Sequence, residues 1–231
     1  MEDIIDTIQV AKDRANLIRG EPWTRHNELM DREIISYEQL KEKILSLKNK
    51  KVAAAMCLIY LTGSRAREVL RGHNRKTNEA YPSIKFKSIS VSENGEYVTI
   101  ITPVEKLRDS PKVKKNPRLR HKRAFIKFDL NDMYYPLFNI LNEYMDSFSE
   151  EQKNNPETEL FNFSYQYFAK QLADNLCWNT HYLRHLRASH LVQNHNFNDT
   201  ELRHFFGWIT GEMPSRYTHM NDEVIMEKLF N

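Results

Sequence analysis

The sequence has few cysteines and no long hydrophobic segment. It contains two cysteines in 231 residues, Cys57 and Cys177, and their separation matches no spacing of metal ligands. We therefore expect two buried free thiols and no disulfide, as is usual in a reducing cytoplasm. Nowhere do about 18 apolar residues follow one another, and the N-terminus lacks a basic stretch leading into an apolar one. The sequence thus predicts a soluble cytoplasmic protein without a membrane span.

The chain also lacks a strong net charge. Its 34 lysines and arginines against 31 acidic residues leave a formal charge of +3, which by itself is weak evidence for a nucleic-acid partner. The distribution is uneven, because residues 105–127 hold ten basic and two acidic side chains, whereas residues 129–159 hold eight acidic side chains and one lysine. A protein with one phosphate-binding side and one acidic side would show this pattern, and so would a solvated hairpin.

Apolar residues recur at helical spacing near the N-terminus. Residues from Ile4 to Gly20 predict a short helix, and the polar residues after it resemble a tether. We therefore expect an N-terminal helix and linker over residues 1–30 and one domain over residues 31–231, a length that can bury a proper core.

Two helices are predicted at the start of this domain. Ser36 to Gln39 has the form of a capping box and predicts a surface helix. Its apolar stripe consists of Leu40, Ile44, Leu45 and Leu47. The next segment, Val52 to Leu61, is apolar on nearly all sides, so we expect a central, buried helix that ends at Thr62-Gly63.

A small sheet is predicted next, and helices follow it. The expected strands are Ile84–Val91, Tyr97–Thr102 and Arg123–Phe128, the first two joined by an Asn94-Gly95 turn. The expected helices are Met133–Phe148, Ser164–Leu176, Tyr182–Asn194 and a turn of helix around Glu201–Phe206. The predicted fold class is α+β, mainly helical, with a small three-stranded antiparallel sheet.

Two arginines have the chemistry needed to bind a phosphodiester. Arg65 and Arg184 each lie in a polar motif. A phosphodiester is anionic and gains charge on its oxygens in the transition state, so fixed donors stabilise it. A guanidinium can clamp two oxygens at once, which a lysine cannot do. Taken singly, Arg65 is more often a surface residue at a helix end, and Arg184 half of a core salt bridge, but their placement in two matching motifs favours phosphate binding.

Tyr217 is the candidate nucleophile, although it is one of eleven tyrosines and could simply pack in a core. A phenol has a pKa of about 10, so attack at neutral pH needs a proton acceptor and positive surroundings. An imidazole such as that of His181 can accept this proton or bind a phosphate oxygen. His181 and His185 also have the spacing of a helical zinc pair, but no third ligand follows, so we expect no metal and a structural role for His185.

Four motifs together resemble the tyrosine recombinase (integrase) family. Thr62-Gly63-Ser64-Arg65-Ala66-Arg67-Glu68 is similar to its first arginine motif, and His181-Tyr182-Leu183-Arg184-His185 to its His-x-x-Arg-His box. Phe206-Gly207-Trp208 stands where the family usually has Leu-Gly-His, with Trp as a known alternative, and Arg216-Tyr217-Thr218-His219 is similar to the nucleophile motif. Order and spacing agree for all four. The resemblance implies that residues 31–231 are a tyrosine recombinase catalytic domain and suggests an archaeal or mobile-element origin.

The resemblance also implies a reaction. Tyr217 is expected to attack a DNA phosphate and form a 3′-phosphotyrosyl link, and a free 5′-hydroxyl later reverses the step. No ATP, metal or other cofactor is needed. Arg65 and Arg184 are expected to hold the phosphate, with Glu68 in the supporting acidic position. Trp208 is expected to donate from its indole nitrogen but, unlike a histidine, it cannot move a proton.

In this family a lysine on the turn after the second strand protonates the leaving 5′-oxygen. Lys106 stands just past the second predicted strand and is therefore the expected acid. The same long connection also holds Lys112, Lys114, Lys115 and Lys122. Each of these lysines is equally explained as a contact to the DNA backbone, which adds salt-dependent affinity and no chemistry.

The partners implied by the resemblance are double-stranded DNA and further copies of the chain, because family members act as tetramers on DNA. The apolar side chains of residues 224–230 could dock on a neighbouring copy or fold back on their own core. Only about thirty residues precede the catalytic domain, where relatives usually carry a helical DNA-binding domain. The chain therefore fits a catalytic fragment or a short recombinase. A type IB topoisomerase-like enzyme and a non-catalytic DNA-binding relative are the alternatives.

Overall fold

The computed structural model describes residues 34–73, 80–104 and 121–208, together with Pro214 and Tyr217. The predicted N-terminal helix, most of the basic connection and the C-terminal tail lie outside the described residues. The helices are α1 (Tyr37–Leu45), α2 (Lys50–Thr62), α3 (Ala66–Val69), α4 (Tyr135–Asp146), α5 (Glu150–Asn154), α6 (Tyr165–Leu176), α7 (Tyr182–His195) and α8 (Asp199–Phe206). The strands are β1 (Gly72–His73), β2 (Ala80–Tyr81), β3 (Ile89–Val91), β4 (Tyr97–Pro103) and β5 (His121–Lys127).

Helices α1 and α2 form as the sequence predicts. The Ser36 hydroxyl accepts from the backbone N–H of Gln39, and the Gln39 side chain accepts from that of Ser36, which completes the capping box. Leu45 is exposed, so its assignment to the apolar stripe is wrong. It follows the buried Ile44 by one residue and is turned about 100° away from it around the helix. Every residue from Val52 to Thr62 is buried, which confirms α2 as the central helix.

The three-stranded sheet is antiparallel, with the order β3-β4-β5, as predicted. Its first strand is shorter than expected, because Phe86–Ser88 forms a 3₁₀ turn. The backbone N–H of Ile84 donates to the carbonyl of Val69, and that of Phe86 donates to Thr158. These groups are therefore not available to extend the hairpin.

Two short elements and one cysteine depart from the sequence predictions. Strands β1 and β2 form a two-stranded ribbon, and α5 begins with a capping box at Ser149. Both are too short to give a periodic signal.

Cys57 is buried as expected, but Cys177 is exposed, so the expectation of a buried thiol is wrong there. Cys177 ends α6 in a left-handed conformation, with a φ of 55°.

Helix α7 joins two apolar clusters. The larger cluster surrounds α2 and receives Leu183 and Leu186 from α7. The smaller cluster consists of Ala188, Leu191, Val192, Leu202, Phe206 and Tyr217. The sequence-distant Tyr217 is therefore packed against the C-terminal half of α7. None of the helices in the described part of the chain combines the length and apolar character needed to cross a bilayer.

The Gly63 turn gives a test of this packing. Gly63 ends α2 with a φ of 58°, and a Cβ atom at this position would overlap the ring of Phe206. We expect Gly63→Ala to lower the free energy of unfolding by about 2–4 kcal/mol, because left-handed strain and overpacking add. Urea denaturation monitored by circular dichroism measures this change.

Gly95 supplies the matched control. It also has a positive φ, 72°, but nothing lies within 4 Å of the position of its missing Cβ. Gly95→Ala should therefore cost only the backbone strain, about 1–2 kcal/mol. Equal losses for the two variants would show that the contact between Gly63 and Phe206 contributes nothing.

Candidate active site

The turn after α2 positions the first arginine. Gly63 ends the helix, and the Ser64 hydroxyl is bonded to those of Thr62 and Thr102, which ties the turn to β4. Arg65 is then the N-cap of α3. Its backbone N–H donates to Glu68 Oε2 at 2.9 Å and its Nη1 to Oε1 at 3.0 Å. A buried carboxylate therefore holds both the backbone and the guanidinium of Arg65.

Lys122 on β5 binds the same carboxylate. Its Nζ lies 2.9 Å from Glu68 Oε2 and 3.2 Å from the Gly63 carbonyl oxygen, and both charged side chains are buried. Sequence reasoning named Lys122 only among several lysines of the basic connection. The missed signal is the alternation of β5, in which Lys122, Ala124 and Ile126 all point inward.

Arg184 on α7 contacts the same turn, although it lies 121 positions further along the chain. The side chain is buried, and its Nη1 donates to the Gly63 carbonyl at 2.6 Å. Its Nη2 donates to the carbonyl of Phe206 at 3.0 Å. The Gly63 carbonyl thus accepts from Arg184 and from Lys122, which brings α7 and β5 together at the end of α2.

The electrostatic balance of this cluster is positive. Burial raises the pKa of Glu68, but Lys122, Arg184 and Arg65 more than offset this effect and lower that pKa to about 2. Burial lowers the pKa of Lys122 to about 7 against the attraction of Glu68. Burial and the charge of Arg65 lower the pKa of Arg184 to about 9. One carboxylate faces three bases, so an added anion such as a phosphate would be stabilised here.

An aromatic stack leads from Arg184 to Tyr217. The guanidinium lies 4.8 Å from the ring centroid of Phe206 and 5.4 Å from that of Trp208. The Trp208 ring is stacked between Phe206 at 4.6 Å and Tyr217 at 5.6 Å. Tyr217 is 3% exposed. The Trp208 Nε1 is buried and has no hydrogen-bond partner among the described residues, so a donor remains available for a ligand.

Two histidines stand one turn apart at the start of α7, and one of them contacts Tyr217. His185 is half-buried, and its Nδ1 is hydrogen-bonded to the Tyr217 hydroxyl. His181 is exposed at the N-cap of α7, where its backbone N–H donates to Asn179 Oδ1 at 2.9 Å. Sequence reasoning gave His185 a structural role, because the motif alone does not show that its ring contacts Tyr217.

The structure brings most of the predicted site residues together. Arg65, Arg184, Trp208 and Tyr217 belong to one continuous set of contacts, and His181 opens the helix that carries Arg184. Lys106 lies outside the described residues. The roles assigned to all these side chains remain predictions.

Comparison with known proteins shows what the fold is. No protein-family model and no curated protein sequence matches the chain. Solved structures similar to it include the XerH site-specific recombinase bound to difH substrate in a pre-cleavage complex, and XerH bound to palindromic difH substrate in a post-cleavage complex. The chain has the tyrosine recombinase catalytic-domain fold.

The similarity lies in the structure, and the sequence identity is low. The TM-scores are 0.55 for the pre-cleavage and 0.52 for the post-cleavage complex, with 17% sequence identity in both comparisons. Each comparison covers 88% of this chain, and the XerH chains are covered to 52% and 51%. This chain therefore spans about half the length of the XerH chains it matches.

The ion pairs of Glu68 predict an acid dependence of stability. Its pKa in the folded protein, about 2, lies below the ordinary 4.5, so the folded state binds fewer protons than the unfolded one. The stabilisation is thus complete above pH 4.5 and is lost as the pH falls toward 2. We expect Glu68→Gln to lower the free energy of unfolding by about 3–5 kcal/mol at neutral pH, because it breaks buried ion pairs. In the same variant, the free energy of unfolding should fall less steeply as the pH decreases. Urea denaturation at several pH values measures this dependence.

Glu157 is the matched surface control. Its pKa is also lowered to about 2, by hydrogen bonds from Lys85 and Lys87, but the Glu157 side chain is exposed to water. Solvent screens such pairs, so Glu157→Gln should change stability far less than Glu68→Gln. A comparable loss in both variants would contradict a special role for the buried cluster.

Proposed function

We propose that this chain is a tyrosine recombinase, or integrase, that cleaves and rejoins DNA strands through a 3′-phosphotyrosyl intermediate. The observation that carries the proposal is the convergence of Tyr217 with Arg184 and Trp208 in one contact set. The nucleophile and the phosphate-binding cations of the reaction are thus supplied by a single chain, and this supports attack in cis. The XerH complexes with difH, which share the fold, also support DNA as the substrate.

The phosphate is proposed to lie between Arg65, Arg184 and the Trp208 Nε1. The guanidinium of Arg184 is fixed by two carbonyl oxygens and that of Arg65 by Glu68. These donors do not have to reorganise when charge develops on the phosphate oxygens, and this preorganisation is the main source of stabilisation in such sites. Trp208 adds a neutral hydrogen-bond donor, and its indole cannot transfer a proton.

Two lysines are candidates for protonating the leaving 5′-oxygen. Lys106 follows from the family resemblance, and Lys122 is supported by its position beside Arg184 and Glu68. An acid works best when its pKa is close to the working pH, and burial lowers the pKa of Lys122 to about 7. We therefore favour Lys122 as the residue that donates the proton to the 5′-oxygen. In the reverse step Lys122 takes the proton back from the 5′-hydroxyl.

The proposed partners are duplex DNA and further copies of the chain. Strand exchange needs two duplexes held together, which a tetramer supplies in this family. Because the chain spans about half of the XerH length, stable clamping of DNA is proposed to need additional contacts, either from other copies or from a further domain. The proposed biological role of the chain is DNA integration or the transfer of a mobile element.

The nucleophile is tested by covalent trapping. Wild-type protein is mixed with a pool of fluorescently labelled duplexes that each carry a nick and a randomised central sequence, and the mixture is separated under denaturing conditions. We expect a labelled adduct with wild type and none with Tyr217→Phe, because the variant retains the ring and loses the attacking oxygen. Sequencing the trapped duplexes then identifies a reactive site.

Tyr97→Phe is the control for this experiment, because Tyr97 lies exposed on β4 and outside the site. It should form the adduct at the wild-type rate. An adduct that persists in Tyr217→Phe would overturn the assignment of the nucleophile. Relaxation of supercoiled plasmid by isolated monomers, without pairing of sites, would instead indicate a type IB topoisomerase.

The leaving-group acid is tested with the trapped duplex. We expect Lys122→Ala to slow cleavage by about 100-fold or more with an ordinary 5′-oxygen, since general acid catalysis contributes this much. A 5′-thiolate leaves without a proton, so a 5′-phosphorothiolate duplex should restore the rate. Single-turnover kinetics measures both reactions. Rescue of Lys106→Ala and not of Lys122→Ala would assign the proton to Lys106.

A further inference from the structure

The Tyr217 hydroxyl already has a base within hydrogen-bonding distance. The Nδ1 atom of His185 contacts this hydroxyl, and the two ring centroids are 5.8 Å apart. His185 is half-buried and Tyr217 is nearly fully buried, so the pair is largely shielded from bulk water. A proton passed between these two atoms would need no rearrangement of either residue.

The ring of Tyr217 is packed in an aromatic stack. The phenol lies almost parallel to the Trp208 ring, with 8° between the planes. Arg184 lies on Trp208 as well, and its charge interacts with Tyr217. Tyr217 thus interacts with a cation that can stabilise a phenolate, and its hydroxyl contacts an imidazole nitrogen that can take its proton.

Position on α7 distinguishes the two histidines. His185 lies on the first full turn, directly after Arg184, and its ring contacts the reacting oxygen. His181 lies at the exposed N-cap of the helix, where its backbone N–H already donates to Asn179 and the helix dipole favours an anion near its side chain. The two positions therefore suit different tasks: proton transfer for His185 and a phosphate oxygen for His181.

We propose that His185 is the catalytic base that accepts the Tyr217 proton. The inference rests on the proposed function and deepens it. The proton moves from Tyr217 Oη to His185 Nδ1 as Oη forms a bond to phosphorus, the P–O5′ bond breaks, and the 5′-oxygen takes a proton from the acid. In the reverse step the imidazolium returns its proton to Oη. This role requires the neutral tautomer that carries its hydrogen on Nε2.

The test compares asparagine and alanine at this position. His185→Asn keeps a polar atom near the place of Nδ1 but cannot accept a proton, whereas His185→Ala removes both properties. With the duplex recovered from the wild-type adduct, we expect both variants to slow single-turnover cleavage by about 100-fold or more. Circular dichroism and thermal unfolding confirm that each variant is folded. A wild-type rate for His185→Asn together with a slow His185→Ala would show a positioning role and overturn the proposal.

His195→Asn is the matched control on the same helix. His195 Nε2 is hydrogen-bonded to the Tyr134 hydroxyl at 2.7 Å, outside the site. The variant therefore removes an equivalent histidine–tyrosine contact and should leave the cleavage rate unchanged. A slowing equal to that of His185→Asn would assign both effects to weakened packing of α7 and overturn the proposal.

A measurement without DNA tests the tautomer. Nitrogen NMR of the full chain labelled with ¹⁵N-histidine should show the hydrogen of His185 on Nε2, and Tyr217→Phe should shift the Nδ1 resonance. A hydrogen on Nδ1 in the wild type would overturn the role of base even if cleavage occurs. Failure of the wild type to trap any duplex would overturn the proposed function itself, whereas a trapped wild type with an undiminished His185→Asn overturns only the assignment of His185.

Discussion

The site depends on two anionic or partly negative groups at the end of α2: the carboxylate of Glu68 and the carbonyl oxygen of Gly63. Burying several cations costs several kcal/mol each unless they are paired and hydrogen-bonded. Glu68 accepts from Arg65 and Lys122, and the Gly63 carbonyl accepts from Lys122 and Arg184. Helices α2, α3 and α7 and strand β5 therefore meet at one turn. The left-handed conformation of Gly63 is what places that carbonyl between the two cations.

Arg184 connects this polar turn to the aromatic stack. On one side its guanidinium donates to Gly63, and on the other it lies against Trp208, which is stacked on Tyr217. A shift of α7 would therefore disturb the cation cluster and the packing of Tyr217 together. The same helix carries His185, whose Nδ1 contacts the Tyr217 hydroxyl. One helix thus contributes to both the cation cluster and the packing around Tyr217, and most of its residues are buried.

Local sequence predicts those parts of the site whose geometry is set locally. The capping box of α1, the all-apolar α2 and the Asn94-Gly95 hairpin could be read from nearest neighbours along the chain, and Arg65 and Arg184 from their motifs. Lys122 was not singled out, because its inward direction depends on the pairing of β5 with β4, where it faces Thr102. The contact of His185 with Tyr217 joins residues 32 positions apart and is fixed only by tertiary packing.

The arrangement separates the two proton transfers that the proposed reaction requires. An in-line displacement at phosphorus places the nucleophile and the leaving oxygen on opposite sides of that atom. Arg184 lies against Trp208, which is stacked on Tyr217, and it shares the Gly63 carbonyl with Lys122. In the proposed reaction, a phosphate held by Arg184 would therefore use His185 as the base and a different residue, Lys122, as the acid. Neither histidine nor lysine then has to serve both ends, which is consistent with a tryptophan, a donor that moves no proton, standing at position 208.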